Sequence, residues 1–286
     1  MNKLVSIITT FFVLLPFQLH AQTVYETDFD DLTLGVTENP PNSGHDGWTS
    51  IFHPGASFGE IQDQVANGGR AIHQFTDITN TNAQQSIDNR SFSAVSTSNI
   101  TEILFGIDFH ASSSDISTRN SYGASATIDG DGQVFGFSVG SGNGQIRSDI
   151  GVSVGLSTFN GTDNNFALGL NVGQNLAWDQ WHELELRANL ITDEWISITV
   201  NGQTQSLTGI DLPRNFPGGT PATASFLDRI TLQVVNVENF GDETSDSIFF
   251  DNLSLQVTAV PEPNASLCLV GLVAAIASQR KRRVIA

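Results

Sequence analysis

The chain has 286 residues, 39% of them hydrophobic with 19 Phe, enough apolar material for a core and too much for wholesale disorder. Between Gln22 and Ala259 seven arginines face twenty-nine acids with no lysine, a net charge of −22. That balance excludes nucleic-acid binding, because affinity for a phosphate backbone comes largely from Lys and Arg.

The N-terminus carries Lys3, an apolar stretch from Leu4 to Leu19 and the small residue Ala21 before Gln22. That order predicts a secretory signal peptide over 1–21, cleaved after Ala21. From Gln22 to Ala259 no stretch sustains a helical period with caps, and period-two alternation recurs instead. In 102–110, Ile103, Phe105, Ile107 and Phe109 share one face, while Glu102, Asp108 and His110 share the other. Asp129-Gly130-Asp131-Gly132 lacks the remaining positions of a calcium loop and predicts a hairpin turn. Three short repeats follow: GFSVG at 136–140, GVSVG at 151–155 and GLNVG at 169–173. They predict three strands of one sheet, apolar on one side and nearly bare on the other. A bare face either admits an extended ligand or lies under a loop. Turns at 141–144 and 160–161 separate the repeats.

In 181–190, His182, Leu184, Leu186, Ala188 and Leu190 point one way, and Trp181, Glu183, Glu185, Arg187 and Asn189 the other. Ile196, Ile198 and Val200 continue the inward set into Asn201-Gly202, a type I′ hairpin signal. Strands over 228–237 and 247–257 close the domain. The expected fold is all-β, a two-sheet jelly-roll sandwich over 22–259.

Three segments carry a family likeness. Tyr25–Asp30 followed by Gly47-Trp48 resembles the opening of laminin-G and concanavalin-like domains and of jelly-roll carbohydrate-binding modules. Trp181-His182-Glu183-Leu184 leading to Val200-Asn201-Gly202 resembles the hairpin of the laminin-G-like group, and Phe250–Leu253 resembles its last strand. In jelly-roll binding modules an acid near the start and an acid in the closing strand commonly share a structural Ca²⁺. The resemblance thus implies Glu26, Asp28 and Asp251 as ligands.

The tail reads Pro261-Glu262-Pro263, then an apolar run from Ala265 to Ala277, then Arg280-Lys281-Arg282-Arg283. As helix, that run covers about 20 Å against a hydrocarbon core of roughly 30 Å. The basic cluster stays cytoplasmic and leaves the ectodomain outside. Over 260–286 the tail resembles the PEP-CTERM sorting domain. This implies an exported protein of a polysaccharide-producing Gram-negative bacterium, held transiently in the inner membrane by the tail. An exosortase-type membrane protease would process it, leaving it at the outer surface or in the extracellular matrix. The only cysteine, Cys268, lies in this tail, so the ectodomain has no disulfide and no thiolate metal site.

Ser138 and Ser153 match Gly-x-Ser-x-Gly, but a nucleophile elbow needs a strand-to-helix turn and both serines sit in alternating strand patterns. Glu183 and Glu185 resemble the catalytic strand of concanavalin-like glycoside hydrolases, yet Ala188 stands where that pattern requires its last acid. The hairpin also offers sugar binding by Trp181, Glu183, Glu185, Arg187 and Trp195, aromatic stacking joined to polar groups. The histidines have no metal-ligand spacing, and Asp108 with His110 is an i, i+2 pair on a wet face. The expectation is a non-enzymatic, lectin-like surface or matrix protein whose partner is extracellular polysaccharide. The alternative is a polysaccharide-degrading enzyme, a glycoside hydrolase or lyase, which a convergent carboxylate pair would mark.

Overall fold

Alternating apolar and polar residues become, in the computed structural model, two stacked antiparallel sheets. The structure describes residues 21–37, 47–52, 58–76, 85–112, 123–130, 135–140, 151–159, 164–166, 170, 172–213, 226–235 and 247–259. Apart from Ala21, the expected leader lies outside these residues. So do the sorting tail 260–286, Asp131-Gly132, the turns at 141–144 and 160–161, and His45 and His53.

The described strands are β1 (Ala21–Thr27), β2 (Gly35–Val36), β3 (Trp48–Phe52), β4 (Phe58–Gln62), β5 (Ala71–Phe75), β6 (Gln85–Ser96), β7 (Ile100–Ala111) and β8 (Gly123–Gly130). They continue as β9 (Phe135–Gly140), β10 (Ser153–Phe159), β11 (Asn164–Phe166), β12 (Trp181–Asn189), β13 (Glu194–Val200), β14 (Gln203–Ser206), β15 (Phe226–Val235) and β16 (Ser247–Ala259). Among the described residues the larger sheet runs β14-β13-β12-β7-β16-β5-β4-β2, with β1 also paired to β16. The smaller sheet runs β11-β10-β9-β8-β15-β6-β3.

The inward residues of both sheets make one core. Ile103, Phe105, Ile107 and Phe109 of β7 and Leu184 and Leu186 of β12 are buried together with Phe137 and Val139 of β9 and Ile230, Leu232 and Val234 of β15. The Phe109 and Phe137 rings meet across the sheets at 5.9 Å. Fully burying one such side chain contributes roughly 1.5–3 kcal/mol. The opening segment is anchored by Trp48, fully buried against the rings of Tyr25 and Phe29 at 6.5 and 5.8 Å.

Two of the three glycine-rich repeats are paired strands. Val139 faces Val154 and Phe137 faces Leu156, all buried. The described residues of the third, 170, 172 and 173, are in no strand. The Val154 N–H donates to the Gly173 carbonyl at 2.7 Å and Val152 bridges Leu176, so 173–176 runs alongside β10. A Cβ at Gly151 would come within 2.2 Å of the Leu176 carbonyl oxygen, so part of the bare strand is covered by a chain segment.

The β13–β14 hairpin turns at Asn201 (φ 50) and Gly202 (φ 76), the left-handed pair that a type I′ turn requires. In the preceding hairpin, β12–β13, the register shifts between Arg187 and Ala188, so Ala188 pairs with Trp195 rather than with Ile196. This bulge flips the phase of β13. Trp195, Ile198 and Val200 point inward, and Ile196 is only half-buried.

Candidate functional site

Antiparallel partners project to the same face, so the strand register alone lays side chains out in rows. On the outer face of the larger sheet, Glu60, His73, Phe249, His110 and Trp181 are successive partners across β4, β5, β16, β7 and β12. Two residues along, Asp251, Asp108 and Glu183 form a second row across β16, β7 and β12.

The first row is a packed aromatic band. The His73 ring stacks on Phe249 at 4.2 Å, His110 meets Phe249 edge-on at 5.5 Å, and His110 tilts against Trp181 at 5.5 Å. His73 Nδ1 lies 3.1 Å from Glu60 Oε1, and its Nε2 lies 3.2 Å from Ser247 Oγ. Burial pushes the His110 pKa down, partly offset by the nearby Asp179 carboxylate, so the ring is neutral near pH 7. His110 Nδ1 is buried, near the backbone of Asp179.

The second row is a line of carboxylates with a loop over one end. Asp251 Oδ1 accepts from the Asn252 N–H at 2.7 Å, and Oδ2 accepts from the Asn67 N–H at 2.9 Å. Asp108 Oδ2 accepts from the side-chain amides of Asn67 at 2.8 Å and Asn252 at 2.7 Å. Burial pushes the Asp251 carboxyl up to about 6 against the pull of its two backbone donors, and the nearby Asp108 and Asp30 add to the rise. The loop after β4 that carries Asn67 is pinned at its far end, where the Arg70 N–H donates to Asp30 Oδ1 at 2.6 Å. Asp108 and His110 therefore share the outer face, as alternation requires, but are 8% and 9% exposed rather than wet.

The predicted site residues divide. Trp181, Glu183, Glu185 and Arg187 do lie on one outer face of β12. Glu185 and Arg187 line a shallow depression with Glu102, Leu104 and Gln256, and the Arg187 guanidinium bonds Glu102 at 2.8 Å. Trp195 is not part of this face. It is 2% exposed and sits in the core, because the bulge flips its strand.

The expected calcium ligands are not assembled. Glu26 is exposed on β1 opposite Ser254, and Asp28 is exposed beyond the strand end. Asp251 is buried at the register break between Asp251 and Ser254, where backbone N–H groups satisfy its oxygens. Among the described residues no group of three or more His, Cys, Asp or Glu is arranged to hold a metal ion. Sequence reasoning missed His73, Phe249, Asp108 and Ser247 as neighbours. Cross-strand register brings them together, and only His110 and Asp108 carried a signal, their shared face.

No protein-family profile matches the chain, and no curated protein matches its sequence. Solved structures do match its fold. A mutant of the alginate lyase Aly36B in complex with an alginate tetrasaccharide aligns with a TM-score of 0.54 at 11% identity, over 85% of this chain and 98% of that one. Aly36B itself aligns with a TM-score of 0.52 at 12% identity, over 82% and 96%. The chain has their sandwich fold. This overturns the expectation of a non-enzymatic protein, since the fold is one that carries polysaccharide cleavage. That expectation rested on the want of a convergent carboxylate pair. No single strand holds such a pair, whereas Asp251, Asp108 and Glu183 stand in one row across three.

Proposed function

We propose that the protein is an exported polysaccharide-cleaving enzyme on a concanavalin-like jelly-roll sandwich, with its site on the outer face of the larger sheet. The observation that carries this reading is the cross-strand row Asp251–Asp108–Glu183 beside the Trp181–His110 edge. Cleaving a glycosidic linkage needs one group that gives a proton to the leaving oxygen and one that takes a proton elsewhere. Carboxyls in unlike environments supply both roles. Asp251, held at about 6, keeps its proton in weakly acid solution and is the donor there. Glu183, at the exposed end of the row, is the acceptor that a chain entering over Trp181 meets first. Asp108 lies between them, one carboxyl oxygen accepting from two side-chain amides.

The domain's charge of −22 favours a neutral glycan or one whose charge is masked by cations. The alginate lyases of like fold support the polysaccharide class. The signal peptide over 1–21 and the tail 260–286 support export, exosortase-type processing near Pro263 and delivery to a polysaccharide-rich surface or matrix.

The test is incubation with neutral β-glucans and with alginate. Reducing ends are followed for cleavage, and ultraviolet absorbance for the unsaturated ends that elimination leaves. Cleavage is expected to fall at least ~100-fold in Glu183→Gln and Asp108→Asn proteins that keep the wild-type circular dichroism. Cleavage unchanged in both variants refutes the assignment.

A further inference from the structure

We propose that Ser247, His73 and Glu60 form a second reactive centre on the same face, a serine nucleophile with its base and orienting carboxylate, which hydrolyses a short-chain acyl ester. The proposal does not depend on glycan cleavage.

The geometry is that of a relay through one imidazole. Glu60 Oε1 lies 3.1 Å from His73 Nδ1, and Ser247 Oγ lies 3.2 Å from Nε2. With Nδ1–H donating to the carboxylate, Nε2 is the basic nitrogen and faces the hydroxyl, the tautomer a general base requires. Three adjacent strands hold the arrangement. Glu60 and His73 are direct partners on β4 and β5, and Ser247 stands two residues before Phe249, the partner of His73 on β16. Stacking on Phe249 at 4.2 Å and an edge contact with Phe58 at 5.3 Å fix the ring plane. Phe58 and Phe75, stacked at 4.8 Å, add apolar surface beside it. An apolar rim in an acidic domain fits a neutral acyl group of few carbons and disfavours an anionic one.

The reaction balances with water as the only co-reactant. Ser247 Oγ bonds to the ester carbonyl carbon as its proton passes to His73 Nε2. The bond from that carbon to the alcohol oxygen then breaks, and the Nε2 proton goes to the departing oxygen. Water, deprotonated by the same nitrogen, attacks acyl-Ser247 and releases a carboxylic acid and the free serine. The Gly-x-Ser-x-Gly matches at Ser138 and Ser153 take no part, since they lie on β9 and β10 of the other sheet.

The test uses the full chain with p-nitrophenyl acetate as substrate and diisopropyl fluorophosphate as probe. We expect peptide mass mapping to place the phosphoryl label on Ser247. Ser247→Ala should lower kcat by about 10³-fold. Glu60→Gln, which acts only through the histidine, should lower kcat and the labelling rate together and leave KM unchanged. Circular dichroism and Tm establish that each variant is folded. No label on Ser247, or wild-type ester hydrolysis by a folded Ser247→Ala protein, overturns the proposal. Loss of glycan cleavage in Glu183→Gln with ester hydrolysis retained separates this centre from the carboxylate row.

Discussion

Asp251→Asn should change the sign of its effect on stability with pH. In the folded chain the Asp251 carboxyl titrates at about 6, raised chiefly by burial, against an ordinary value of 3.8. Below the ordinary value both folded and unfolded chains hold the proton, and burial costs nothing in charge. Between about pH 4 and pH 6 the folded chain keeps a proton that the unfolded chain has released, so stability falls as pH rises. Above that window the full penalty stands, about 3 kcal/mol for a rise of this size. Asparagine mimics the protonated group at every pH and removes the penalty. It also offers one acceptor oxygen where the carboxylate offers two to Asn252 and Asn67, leaving one N–H without a partner at a pH-independent cost of about 1 kcal/mol. The variant should be less stable than wild type by about 1 kcal/mol near pH 3 and more stable by about 2 kcal/mol near pH 7. Urea unfolding at a series of pH values measures the gap, and carboxylates remote from Asp251 cancel in the difference. A gap that stays constant between about pH 4 and pH 7 would show that Asp251 is not a strained buried acid and would remove the proton donor from the proposed site.

Trp195→Ala should cost about 3–5 kcal/mol by urea unfolding, because the ring is 2% exposed in the core. Trp181→Ala, on the outer face, should cost less than about 1 kcal/mol yet weaken glycan binding by calorimetry. Gly59→Ala should destabilise the fold by about 1–3 kcal/mol, since its Cβ would lie 1.7 Å from Asp88 Oδ2 and 2.7 Å from Thr37 Oγ1. Asn201→Ala should lower stability by about 1–2 kcal/mol. It removes the oxygen that accepts the Glu183 N–H at 3.0 Å, and it places alanine at φ 50.

The layer architecture was legible because each strand needs only its own alternation to declare a face. Ile103 to Phe109 and His182 to Leu190 point where period two sends them, and Asn201-Gly202 turns as its backbone preferences require. What defeated the same reasoning was the bulge. One extra residue at Ile196 costs little in a hairpin edge, yet it reverses the side of every residue before it and carries Trp195 from the expected binding face into the core. At Asp251 strict alternation sets the side chain inward with Phe249. The structure instead buries Phe250 against β7 and turns Asp251 outward beside Asp108, with the register break just after it.

The site was less legible than the fold for a reason of distance along the chain. Glu60, His73, His110, Trp181 and Ser247 are contributed by five strands, and no two of them fall within a motif-length window. Their meeting is a property of strand order, β12-β7-β16-β5-β4, which alternation within a strand leaves free. The cost of misreading it is specific. A search for paired acids at i, i+2 finds Glu183 and Glu185, whose neighbour on the adjacent strand is a glycine, Gly106. The acids that stand in cross-strand register are Glu183, Asp108 and Asp251, at sequence separations of 75 and 143 residues. Chemistry on a sheet face is written across the strands. In this chain Asp108 is where the two directions cross: one residue from the core Phe109 along β7, and between Asp251 and Glu183 across it.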